Sequence, residues 1–334
     1  MTQYLGQSLR KSKRISTVSL MNLAVTIWKI VHCMSMKRIA ARRGSQMKVA
    51  ILGCGPTGMI AAHACLTHGI YPQVFSRKIK SALYGSQYLH EPIPGIDHGE
   101  EEWVTYINKG TPEEYRRKTH GKFWDGIIAP ADFETAHPAW DIRRAYNILW
   151  RKYHDLVQDY VIPSREAPKI PGDGYAHPYW TLNKDLNIDS YDLVISTVPR
   201  RIWAIEGEQY IYSLGWAVGD APERGQFVNL EVPDMTIICD GSPDVAYNRL
   251  SHVFGYKTVE WPAHCIGRDV SVGIPASKLI KPLKYVPAEF DINPVNGTRW
   301  LHVGRFGKWQ KGVVVTDAWH EVQAELRLRL GITV

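Results

Sequence analysis

"AILGCGPTGMIAAHACLTHGIYPQVFSRK", residues Ala50 to Lys78, decides the fold class of this chain. A short apolar run, Lys48–Leu52, leads into Gly53-Cys54-Gly55-Pro56-Thr57-Gly58, a G-x-G-x-x-G match that opens a helix over Pro56–His68, closed by Gly69. Gly53 allows the tight turn, Gly55 lets a pyrophosphate approach the backbone, and Gly58 lets helix and strand pack closely. The helix start, with Pro56 and Thr57 in its first turn, offers unpaired N–H groups and a positive dipole end to a phosphate. Gln73–Ser76 predicts the second strand. The pattern predicts an α/β fold with a Rossmann-like dinucleotide-binding domain.

In such folds the second strand usually ends at an acidic residue that bonds the ribose hydroxyls. Here the position 23 residues after Gly53 is Ser76, followed by Arg77 and Lys78. A small hydroxyl beside two cations suits a 2′-phosphate, which points to NADP. Ser76 can also bond a ribose hydroxyl as a neutral partner, which leaves FAD open.

The 334 residues carry a formal net charge of +7, but the charge is unevenly spread. Residues 1–46 hold nine of the 40 Lys and Arg and no acid, leaving 31 basic against 33 acidic residues in Met47–Val334. A near-neutral body without a basic helix or stacking motif argues against specific nucleic-acid binding. Residues 1–46 are expected to be a basic extension, disordered or outside the fold. It reads as a targeting peptide, as a weak anchor, or as a start placed ahead of Met47. Its uncharged run, Ile15–Trp28, is shorter than the roughly 20 residues of a spanning helix, so no membrane partner is expected. Five scattered cysteines (Cys33, Cys54, Cys65, Cys239, Cys265) form no C-x-x-C pair. They suit a reducing compartment, and the expected location is cytoplasmic. The 13 His show no H-E-x-x-H pattern, so no metal is assigned.

Beyond the opening motif, residues 79–138 read as irregular. Trp140, Tyr146, Trp150, Tyr153 and Val157 predict a helix over Trp140–Val157. "YDLVISTVP", Tyr191–Pro199, reads as another buried strand. Short alternating pieces in 209–262 suggest an antiparallel sheet. "RWLHVGRFGKWQKGVVVTDAWHEVQAEL" reads as strand, glycine-rich loop and helix.

Three blocks, roughly 47–90, 185–200 and 298–330, together resemble the FAD-binding superfamily of flavin amine oxidases and UDP-galactopyranose mutases. The matching residues are the glycine motif, then Asp192, Val194, Ile195, Thr197 and Pro199, then Gly304, Arg305, Gly307 and Trp309. Ser76 departs from that pattern. The resemblance implies bound FAD and a small inserted antiparallel domain that covers the flavin ring. It assigns 47–90, 140–200 and 296–334 to the nucleotide domain, and 91–139 and 201–295 to the substrate side. Its Gly-containing loop after the second strand corresponds to Gly85, Ser86, Gln87 and His90. Its last helix, preceded here by Gly312 and Val313, points at the flavin.

Residue chemistry adds roles beside the resemblance. Arg305, flanked by glycines, suits bidentate pyrophosphate binding. His90 has the imidazole needed for general acid–base work. Arg249, in "YNRLSH", could hold an anionic group of the substrate, and Trp309 could lie against the ring or fill the core. The expected function is an FAD-dependent oxidoreductase removing hydride from a small molecule at flavin N5. The alternatives are a mutase-like non-redox flavoenzyme, an NADP-binding reductase, and a nucleotide-binding scaffold without catalysis. Oligomeric state is not legible.

Overall fold

In a computed structural model of the chain, the fully buried Val49–Leu52 (β1) is the central strand of a five-stranded parallel sheet. The structure describes residues 47–76, 79–121, 136–159, 190–203, 208–218, 231–265, 277–287 and 299–332, and all of them belong to one unit, Met47–Val334. After β1 come α1 (Pro56–Thr67), β2 (Gln73–Ser76), β3 (Glu102–Lys109), α2 (Pro112–His120) and β4 (Ala136–Ala139). Next are α3 (Ile142–Tyr153), β5 (Val157–Asp159), β6 (Leu193–Ser196), β7 (Gln209–Val218), β8 (Thr236–Asp240), β9 (Arg249–Val253) and β10 (Tyr256–Pro262). The chain ends with β11 (Ser277–Val286), β12 (Trp300–His302), α4 (Gly304–Lys308) and α5 (Asp317–Leu330).

The parallel sheet has the order β12-β6-β1-β2-β5. β1 pairs with β2 and β6, placing Ile51 beside Val74 and Ile195. Successive strands move outward first to one side of β1 and then to the other. The crevice where this direction reverses, at the carboxyl ends of β1 and β6, is where open α/β sheets bind ligands. α1 is buried nearly throughout because it lies among α3, α5 and the sheet. Ile51, Met59, Leu149 and Leu326 are fully buried in that core, each contributing about 1.5–3 kcal/mol.

The second sheet has the order β11-β7-β10-β9-β8-β3-β4. It departs from the expected small antiparallel sheet: it has more strands than the nucleotide sheet, and its β3–β8 pair is parallel. β3, α2 and β4 also correct the irregular reading of 79–138. Thr111 and Glu114 form a capping box at the start of α2, with Pro112 in its first turn. α3 stops at Tyr153, four residues short of the predicted end. Val157 fits a helical spacing but pairs with Val74 at the sheet edge, where its side chain is buried. The predicted glycine-rich loop after β12 opens with the short helix α4 and continues as turns to Thr316. Among the described residues no helix is long and apolar enough to cross a membrane.

Candidate active site

The glycine turn is built as its sequence requires. Gly53 has φ +98°, and a Cβ there would lie 2.5 Å from Thr197 Oγ1. That hydroxyl donates to Leu52 O at 2.8 Å and so ties β1 to the end of β6. A Cβ on Gly58 would meet Gly53 O at 2.0 Å, so α1 can sit this close to β1 only without one. Gly55 differs: its Cβ would meet nothing nearer than Ser81 Oγ at 3.8 Å. The space over Gly55 is open, no side chain caps α1, and no acid stands in its first turn. A diphosphate fits these donors, which face the opening without a competing carboxylate.

The loop after β2 is held by two α3 residues that sequence reasoning missed. Tyr146 donates to Cys54 O at 2.9 Å and accepts from Ser81 N at 3.0 Å. Arg143 is buried, donates to the carbonyls of Leu83, Gly85 and Gln87 at 3.3 Å each, and stacks over Tyr256. Both read in sequence as ordinary members of an amphipathic helix. Ser76 is 5% exposed, hydrogen bonded to the Cys54 thiol, and lines the cavity described below. Burial pushes the Cys54 thiol up, and Ser76 opposes that. Arg77, with Lys78, lies outside the described residues.

The terminal segment closes the other side. A Cβ on Gly304, whose φ is +72°, would lie 2.6 Å from Thr57 Cγ2, so this glycine lets the segment pack on the first turn of α1. Trp309 is 0% exposed, donates its indole N–H to Ile211 O at 3.1 Å, and packs edge-on against Tyr210 and Tyr212. Of the two roles its sequence position allowed, it fills the core and does not line the cavity. Val313, Val314 and Val315 line the cavity. Val314 N–H donates to Asp317 Oδ2 at 2.9 Å, so this amide is not available to a ligand. Gly312, with φ +86°, makes the turn that presents Val313.

These segments surround a cavity of about 600 Å³ that starts at the glycine turn and ends on the second sheet. Its lining brings together Gly53, Gly55, Thr57, Ser76, Ser86 and His90 with Arg249, Glu260, Lys281 and Arg305. Glu260, unmarked in sequence, is central on the far wall. Its Oε1 accepts from Ser86 N at 3.3 Å and lies 3.6 Å from Arg249 Nη1, and its Oε2 lies 2.7 Å from Lys281 Nζ. These cations outweigh burial and hold its carboxyl down to about 2. A Cβ on Gly85 would fall 2.6 Å from Glu260 Oε1, so the loop can rest on this carboxylate only through a glycine.

Arg249 also donates to Tyr115 OH at 2.9 Å. Arg305 is exposed and lines the cavity, yet the surrounding protein lowers its pKa by desolvation, with Arg249 adding to the effect and Glu260 opposing it. The His90 ring lies tilted against Tyr88 with centroids 4.6 Å apart, and desolvation by the surrounding protein, followed by His137, lowers its pKa. The ring is therefore neutral near pH 7 and able to accept a proton.

No protein-family model matches the chain, and no curated protein sequence matches it. Among solved structures, it is similar to a reduced UDP-galactopyranose mutase at 10% identity, with 86% of this chain and 96% of that one covered and a TM-score of 0.47. It is also similar to CtdE in complex with FAD and a substrate, at 11% identity, 85% and 80% coverage and a TM-score of 0.41. A third is the p-nitrophenol 4-monooxygenase PnpA of Pseudomonas putida DLL-E4, at 10% identity, 86% and 82% coverage and a TM-score of 0.40.

Proposed function

We propose that this chain is an FAD-dependent oxidoreductase that removes hydride from a C–H bond of a small molecule and so oxidises a C–N or C–C bond. The observation that carries this reading is the single cavity running from the glycine turn to the charged wall of the second sheet. One end suits a pyrophosphate and the other a substrate, and the two are too far apart in chemistry to serve one simple ligand. Bound FAD supplies a ring that accepts a hydride at N5. The chain's own residues hold and orient. The amides of Gly55, Thr57 and Gly58 face the pyrophosphate, and Ser76 meets the adenosine ribose. The loop from Leu83 to Gln87, fixed by Arg143, and the segment Gly312–Val315 border the ring. The second sheet acts as the substrate side, where His90 takes a proton on an imidazole nitrogen.

Two other readings each have one supporting observation. The convergence of Arg249, Lys281 and Arg305 on one cavity favours a mutase-like flavoenzyme acting on an anionic sugar nucleotide. Ser76, in place of an acid at the end of β2, favours NADP.

The test is an absorbance spectrum of the purified full chain, followed by heat release of the cofactor and its identification by chromatography. Two visible flavin bands and released FAD support the proposal. Anaerobic bleaching by substrate separates the oxidoreductase from the mutase. A colourless protein that takes up no added FAD but binds NADPH overturns the flavin assignment.

A further inference from the structure

The far wall of the cavity carries more positive charge than its own side chains neutralise. Arg249 and Glu260 are direct cross-strand partners in the β9–β10 register. Lys281, on β11, sits opposite Ser213 of β7, yet its ammonium reaches Glu260 on β10, one strand further. It crosses because the β7 residues on that face, Ser213, Gly215 and Ala217, are small. Arg305 enters the same cavity from α4, within electrostatic reach of Arg249 and Glu260. Its guanidinium makes no hydrogen bond to any described residue.

Three cations therefore share one carboxylate whose two oxygens are already engaged, an excess of two positive charges on this wall. Arg249 Nε and Ser86 Oγ are buried without a partner among the described residues. Lys311 adds a further cation within electrostatic reach of the wall. Its ammonium is held down to about 8 by burial and by Arg305, Arg116, Arg249 and Lys281. Like charges gathered on one wall repel one another, and an anion in their midst relieves that repulsion.

We infer that the substrate carries an anionic group, a carboxylate or a phosphate, bound by Arg249, Lys281 and Arg305 against the second sheet. Its remainder lies along Tyr88, Leu279 and Ile280, which give the same cavity an apolar strip. This removes Arg305 from the pyrophosphate role expected from sequence and gives it to the substrate. That the anion belongs to a substrate rests on the flavoenzyme reading; that an anion binds here does not.

The test titrates the full chain by calorimetry with benzoate, phenyl phosphate and the neutral benzamide, each with and without saturating FAD. Both anions are expected to bind at least about tenfold tighter than benzamide, with FAD leaving them in place. Arg305→Gln, a change at an exposed side chain, and Arg249→Gln are expected to weaken the anions by about tenfold or more and to spare benzamide. The tighter of the two anions identifies the group. Equal affinity for benzamide, no measurable anion binding, displacement of the anions by FAD, or an Arg305→Gln variant with unchanged affinity would each overturn the inference. Anion binding by a protein that takes up no FAD supports the anion site and separately removes the flavoenzyme reading.

Discussion

Tyr146 donates to the backbone carbonyl of Cys54 at 2.9 Å, joining the middle of α3 to a turn 92 residues earlier in the chain. The same hydroxyl accepts from Ser81 N, so one oxygen sets the distance between the glycine turn and the loop that follows β2. The glycine-turn end of the cavity thus keeps its width by a side chain outside the glycine motif.

Tyr146→Phe keeps the ring in the core and removes both bonds, leaving buried backbone groups unpaired. The expected loss is about 1–3 kcal/mol of stability, read by denaturant unfolding. FAD affinity should fall with it, since the turn and loop are no longer spaced by the hydroxyl. An unchanged unfolding midpoint would show that water takes over the hydroxyl's bonds.

Two glycines of one motif are predicted to fail in opposite ways. Gly58→Ala drives a methyl group into Gly53 O and should cost about 1–3 kcal/mol or more by overpacking. Gly55→Ala meets open space and should leave the melting temperature close to that of the parent, while weakening cofactor binding about tenfold or more. Thermal melts and cofactor titrations on the two variants check this, and loss of stability in Gly55→Ala would contradict it.

His120 lies 8% exposed with Nδ1 3.0 Å from Ser213 Oγ. Burial, followed by Lys311, Lys281, Arg249 and Arg305, pushes its pKa from 6.5 down to about 3. The unfolded chain binds this proton first, so the contribution to stability is complete above about pH 6.5 and is lost as pH falls towards 3. His120→Asn should flatten the fall in stability across that interval, measured by urea unfolding at stepped pH. Parallel curves for the two proteins would rule out His120 as the titrating group.

Trp309→Ala removes the largest fully buried side chain among the described residues and the bond to Ile211 O. It should cost about 3–5 kcal/mol. Trp309→Phe should cost less and leave the visible spectrum of bound flavin unshifted, because the ring packs between β7 and α4 and does not line the cavity. A spectral shift in Trp309→Phe would return this residue to the site.

What the sequence determined by itself is local. The turn at Gly53–Gly58 is forced by steric limits that act within six residues, and the strand β1 and helix α1 follow from short-range periodicity. Thr197 was legible as part of a strand end. Its reach to the space over Gly53 was not, since that depends on β6 lying beside β1.

The second sheet was harder to see. The short pieces of 209–262 alternate visibly, but β3 (Glu102–Lys109) and β4 (Ala136–Ala139) join that sheet from a distant, earlier part of the chain. Their pairing comes from long-range hydrogen bonding that leaves little local trace. Tyr146 and Arg143 looked like any aromatic and basic residues of an amphipathic helix, and Glu260 like one acid in an alternating strand. Only the tertiary structure gathers Arg249, Glu260, Lys281 and Arg305 on one wall. Charge is a property of each residue, but net field depends on which residues end up within a few ångströms of one another, and the folded packing alone sets that.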